Sequence, residues 1–318
     1  MTLHTTFRRC CFALISLSGL YAQTARTTPA TFRTNSQMVL VPVTVTDHNG
    51  KTINGLRAQD FTLLDGQTTQ QIVSLTSEDA PCSAGLVLDI SGSMRQTLGT
   101  VKDVAHAFFQ TANPEDEFLL LTVSTQPDAV SGFTTDMAAL ERGVEFTRPG
   151  GMTALIDTVY LGLSQMRKAK RPRRALLILS DGMDNYSRYS KADLMRVALE
   201  ADVQIYTVII NDPSAANSSN TVPLRPSMVA KPWDHPQQQQ GQSLLEELAD
   251  KTGGLHFQAR NAEEAKEAVI KAGHALRNEY VIGYLPPDSG TPGKWHRVRV
   301  KSDVPKVSIH ARSGYYSY

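Results

Sequence analysis

Valines recur at alternate positions from Val39 through Val41 and Val43 to Val45, so the stretch after Met38 predicts a strand with one buried face. Asn49-Gly50 follows as a strong turn signal. Residues 61–64 and 71–75 read as two further strands joined through Asp65-Gly66. Three strands are too few to bury both faces of a sheet, so this group needs a partner. From about Ala84 to Glu279 the pattern changes to strands alternating with helices. Short apolar runs over 85–90, 118–123, 175–179, 203–210 and 255–257 predict the strands. Apolar positions at helical spacing predict helices near 101–108, 138–144, 155–166, 192–199, 244–248 and 262–276. That alternation defines an α/β fold: a doubly wound, mainly parallel sheet flanked by helices. Strand patterns then return over 280–285, 296–300 and 307–310. Strands on both sides of the α/β unit predict a small β-sandwich module built from both ends of the mature chain, 38–80 and 280–318, with 84–279 inserted.

Two segments depart from this grammar. Residues 211–241 carry Pro, Ser, Asn and a glutamine run with no apolar period, and read as a long exposed loop before a helix. At the other end, Arg8 and Arg9 precede an apolar stretch over 10–21 that is too short to anchor in a bilayer, followed by the small residue Ala22. This is the pattern of a signal peptide over 1–22, with 23–37 as a polar linker, and it predicts an exported protein, periplasmic or secreted. After Ala22 no stretch is long and apolar enough to serve as a transmembrane anchor.

Composition narrows the reading further. Two of the three cysteines lie in the leader, so the mature chain holds only Cys82 and no internal disulfide. Cys82 precedes an apolar strand and reads as a small buried hydrophobe. A net charge of +1 without a basic face argues against a nucleic-acid partner. The basic run from Arg167 to Arg174 reads as a solvated helix end.

The chemistry concentrates in three loops. Asp89-Ile90-Ser91-Gly92-Ser93 follows the first α/β strand and points one carboxylate and two hydroxyls toward one place. Such hard oxygen donors suit a cation of the Mg²⁺ type, although alone the pattern also describes an Asx turn or a helix cap. Thr153 lies at a helix start after the pair Gly150-Gly151, and Asp181 follows directly on the strand over 175–179. In a parallel sheet all three loops converge on the carboxyl edge. His106 and His256 fall on a helix and a strand and read as packed or capping residues.

Together Asp89, Ser91, Ser93, Thr153 and Asp181 resemble the metal-ion-dependent adhesion site of von Willebrand factor A domains. The resemblance implies that Ser91, Ser93 and Thr153 ligate the ion directly while Asp89 and Asp181 act largely through water. The flanks are similar to the bacterial VWFA-related family first defined in acidobacteria. They comprise Gly55-Leu56-x-Ala58-x-Asp60-Phe61-Thr62 with Asp65-Gly66, and in the tail Tyr280-x-x-Gly283-Tyr284, Trp295-His296-x-Val298-x-Val300 and Arg312-Ser313-Gly314-Tyr315-Tyr316. Departures from the family pattern are Met152, where Gly is frequent, and the 211–241 loop. The implied function is a non-enzymatic, metal-dependent protein-binding module, used in adhesion or complex assembly. One divalent cation, Mg²⁺ or else Mn²⁺ or Ca²⁺, would take an Asp or Glu carboxylate from a partner protein. The alternatives are a metal-dependent hydrolase and a structural envelope protein whose metal locks the fold. Neither a nucleophile elbow nor a zinc-binding His-Glu-x-x-His helix supports the hydrolase.

Overall fold

The structure, a computed structural model, describes residues 38–77, 79–211, 236–286 and 292–317. The leader and linker over 1–37 and most of the glutamine-bearing loop therefore lie outside the described residues. Four strands open the chain: β1 (Val39–Thr46), β2 (Phe61–Asp65), β3 (Thr68–Gln70) and β4 (Ile72–Thr76). The α/β unit follows with β5 (Cys82–Asp89), α1 (Leu98–Phe109), β6 (Glu117–Val123), β7 (Asp128–Ala129), α2 (Met137–Phe146) and α3 (Leu155–Gln165). It continues through β8 (Arg173–Ser180), α4 (Lys191–Glu200), β9 (Gln204–Ile210), α5 (Pro236–Thr252), β10 (His256–Ala259) and α6 (Ala262–Arg277). Four more strands end the chain: β11 (Tyr280–Tyr284), β12 (Trp295–Ser302), β13 (Ser308–Ala311) and β14 (Gly314–Tyr316).

The central sheet has the order β10-β9-β8-β5-β6-β7, parallel except for the edge strand β7. All eight residues of β5 are buried because helices cover both faces, which is why its sequence is a run and not an alternation. One apolar cluster packs α1, α2 and α6 on one face, and a second packs α3, α4 and α5 on the other. Cys82 is buried among the first, and burial together with Asp116 pushes its thiol well above the ordinary range, so it is inert. No helix among the described residues is long and apolar enough to cross a membrane.

The remaining strands form two four-stranded sheets, β13-β1-β11-β4 and β14-β12-β2-β3. Each mixes strands from both ends of the chain, and the two share one apolar core that includes Val41, Val43, Leu63, Ile282 and Val300. The Phe61 and Tyr280 rings meet edge-on across it at 5.3 Å. Three strands had no counterpart in the sequence pattern. β3, β7 and β14 are two or three residues long, too short to display a period.

Helix α5 also begins earlier than expected. It opens on Pro236, a residue suited to a first helical turn, and takes in Gln237–Gln240, whereas apolar spacing marks only 244–248. The glutamines are good helix formers with largely solvent-facing side chains, so periodicity did not register them. The basic run needs a second correction. Arg167 and Lys168 are exposed, but Arg173 is turned inward, with Nε 3.1 Å from Glu279 Oε1 and Nη1 donating to the Arg277 carbonyl at 2.9 Å. It ties the amino end of β8 to the joint between α6 and β11.

Glu279 is 1% exposed, and burial pushes its carboxyl from an ordinary 4.5 up to about 7 against the pull of Arg173. Between those values the folded chain keeps a proton that the unfolded chain releases, so this group lowers stability as pH rises through that window. The urea midpoint of wild type is expected to fall from pH 5 to pH 7 more than that of Glu279→Gln. Equal slopes for the two proteins would mean that Glu279 does not titrate this way.

Candidate metal centre

Asp89 ends β5 and Ser180 ends β8, two adjacent strands from which the chain winds outward in opposite directions. That is the switch point of a doubly wound sheet, where diverging loops leave a crevice. Asp89 is wholly buried there. Its Oδ1 accepts from the Ser91 amide at 3.0 Å and its Oδ2 from the Ser180 hydroxyl at 2.6 Å. The Ser91 and Ser93 hydroxyls are 3.0 Å apart, and the Asp181 carboxyl, beside Ser93, accepts from the Met183 amide at 2.9 Å. Asp89, Ser91, Ser93 and Asp181 thus gather in one cluster, with Ser93 on its solvent side.

Thr153 arrives through the backbone. The Gly92 amide donates to the Gly151 carbonyl at 3.0 Å and the Gly150 amide to the Ile90 carbonyl at 2.8 Å, sewing the second loop to the first. Gly151 is not a flexible hinge. It holds a left-handed φ of +81°, and a Cβ there would sit 2.4 Å from Thr125 Oγ1, the atom that accepts from the Met152 amide. Thr153 itself is buried, its amide donating to Asn185 Oδ1 at 2.9 Å. The first amides of α3, Leu155 and Ile156, are capped by Asp184 Oδ1 from the loop after β8, at 2.9 and 3.4 Å. Because another segment supplies the cap, the Thr153 hydroxyl is spared and makes no hydrogen bond among the described residues.

The third loop is held from behind by α5. Gln242 Nε2 donates to the Asp181 carbonyl at 3.0 Å and to Asn211 Oδ1 at 2.9 Å. Gly182 and Gly241 approach so closely that a Cβ on Gly241 would fall 1.7 Å from the Gly182 carbonyl oxygen. Ser180, Asp184, Asn185, Gly241 and Gln242 are supporting residues that sequence reasoning did not assign. The polar cluster Asp184-Asn185 just after Asp181 was the available signal for two of them. Nothing in the sequence marks Gly241 or Gln242, which reach the site only by packing. His106 and His256 stand elsewhere, paired with Glu145 at 3.1 Å and Asp250 at 3.2 Å.

Burial, and then the charge of Asp181, pushes Asp89 up to about 7, and burial raises Asp181 as well. Neither carboxyl has a Lys or Arg ion-pair partner among the described residues, and no cluster of three or more His, Cys, Asp or Glu lies there either. The donor set is two carboxylates and three hydroxyls, all hard oxygens, short of positive charge. That chemistry fits a divalent cation of the Mg²⁺ or Ca²⁺ kind and not a soft-ligand metal. Met152, next to Thr153 in the chain, and Tyr186, whose amide donates to the Thr153 carbonyl at 3.1 Å, are each about half exposed.

A doubly wound sheet with an oxygen-lined crevice at its switch point makes this unit an open α/β domain. Residues 85–183 match the family model described as the von Willebrand factor type A domain, and this part of the chain is a von Willebrand factor type A domain. Similar solved structures include BatB, a conserved hypothetical protein from Bacteroides thetaiotaomicron, at 16% identity and a TM-score of 0.44, covering 61% of this chain and 98% of that one. A von Willebrand factor type A protein from Catenulispora acidiphila is similar at 14% identity and a TM-score of 0.48, covering 87% of this chain and 73% of its own. The PilB minor pilin of Streptococcus sanguinis is similar at 14% identity and a TM-score of 0.45, covering 63% of this chain and 62% of its own. No curated protein matches.

Proposed function

We propose that the protein is an exported, metal-dependent protein-binding module. In this reading Ser91, Ser93 and Thr153 hold one divalent cation, Mg²⁺ foremost, with Asp89 and Asp181 behind them. The cation, with neutral hydroxyls as its nearest ligands, offers an electropositive open position to an Asp or Glu side chain of a partner. The single observation that carries this is the cluster of Asp89, Ser91, Ser93 and Asp181, whose two carboxylates are buried without a Lys or Arg ion-pair partner among the described residues. The Thr153 hydroxyl does not compete with a helix cap, since Asp184 performs that task for α3, and Ser93 opens to solvent. Von Willebrand factor type A domains are mostly non-enzymatic binding modules, which agrees with a site built to hold and not to turn over. The leader pattern over 1–22 supports export, and the flanking motifs support membership of the bacterial VWFA-related group.

Affinity capture from envelope extract tests the reading, using wild type and Asp89→Asn in Mg²⁺ and in chelator. A partner is expected to be retained only by wild type with Mg²⁺. The same proteins eluting from all four arms would rule out metal-dependent binding.

A further inference from the structure

At the opposite edge of the central sheet, where β8 and β9 begin, the sandwich and the α/β unit enclose a cavity of about 280 Å³. Leu40 and Pro42 of β1, Val281 of β11 and Leu199 of α4 give it an apolar wall. Among its other lining residues are four cations and two anions. Arg173 is committed to Glu279 and to the Arg277 carbonyl, and Arg312 to Asp202 and to the Leu40 carbonyl. Arg174 and Lys251 have no ion-pair partner among the described residues, so the cavity carries an excess of positive charge.

Its hydrogen bonding is also incomplete. Among the described residues, Arg174 Nε and Arg312 Nε are buried donors without an acceptor, and Oε2 of Glu279, a residue 1% exposed, is buried without a hydrogen-bond partner. Buried donors are normally satisfied, and leaving one bare is costly, so this wall offers donors for which the described residues provide no acceptor. We propose that the cavity binds a small organic anion, a carboxylate on an apolar body, its head against Arg174 and Arg312 and its tail against Leu40, Pro42 and Val281. Glu279, which burial pushes up to about 7, is protonated in about half of the molecules at neutrality, and in that form Oε2 can donate to the same head. The volume, just under the common ligand range of roughly 300–1,000 Å³, selects a short-chain compound. This site shares no residue with the metal centre, and the inference stands without it.

Calorimetric titration of metal-free, full-length mature protein with octanoate, octanol and octylamine tests the proposal. One octanoate is expected to bind per chain, at least about tenfold more tightly than either neutral or cationic analogue. Arg174→Gln should erase the preference for the acid. Leu40→Trp, at a position already half exposed, should weaken all binding by crowding the cavity, and thermal melts confirm that each variant is folded. Saturating Mg²⁺ should leave the octanoate isotherm unchanged. Octanoate binding no tighter than octanol overturns the proposal. Binding that is indifferent to both substitutions, or that requires Mg²⁺, overturns it as well.

Discussion

Replacement of Asp89 by asparagine is expected to abolish Mg²⁺ binding and, at the same time, to stabilise the metal-free protein. The opposite signs make the experiment diagnostic. Asp89 is wholly buried, and its carboxyl is pushed up to about 7 by burial and by Asp181. At pH 8 Asp89 in the metal-free wild type is therefore largely ionised in the crevice, beside Asp181 and without a Lys or Arg ion-pair partner among the described residues. Asparagine removes one charge yet still accepts from the Ser91 amide, and the Ser180 hydroxyl rotates to accept from the new amide group. Relief of a buried charge is worth about 1 kcal/mol or more. For a chain of this size that corresponds to a rise in Tm of about 2–4 °C per kcal/mol. Wild type at a Mg²⁺ concentration of 100 times Kd gains about 2.7 kcal/mol from binding, and the variant gains nothing. Melts of both proteins with and without Mg²⁺ read all four values. A Mg²⁺-induced rise that survives in Asp89→Asn would place the cation elsewhere.

Removal of residues 280–318 is expected to collapse the sandwich and leave an aggregating protein. β1 would lose β11 on one side and β13 on the other, and β2 would keep only the three-residue β3. Tyr280, Ile282, Tyr284, Val298, Val300 and Tyr315 would vanish from the shared core. At roughly 1.5–3 kcal/mol for each large side chain, the loss is on the order of 10 kcal/mol, as much as many whole domains possess. Val41, Val43 and Val45 would then stand bare on an unpaired strand, an aggregation-prone edge. Size-exclusion chromatography with light scattering and hydrogen exchange check this. A monomer with unchanged protection over residues 38–76 would show that the amino-terminal strands do not depend on the tail.

What the amino-acid sequence determines by itself is local. Alternating valines mark β1, buried runs mark β5, β6, β8 and β9, and helical spacing marks α1, α3 and α6, because backbone geometry imprints its period on whichever residues must avoid water. Asp89, Ser91, Ser93, Thr153 and Asp181 were legible for a related reason: each lies where a strand ends or a helix begins, the boundaries at which a parallel sheet gathers its loops. What the tertiary structure decides is everything that depends on close approach between distant segments. Asp184 capping α3, Gly241 against Gly182, Gln242 on the Asp181 carbonyl and Arg173 against Glu279 join residues tens to more than a hundred positions apart. Such contacts leave no period, since each is a single meeting of two side chains or two backbones. The cavity between sandwich and sheet is of the same kind. Its walls come from β1, β8, α4, α5 and the carboxyl-terminal strands, and only packing brings them to face one another.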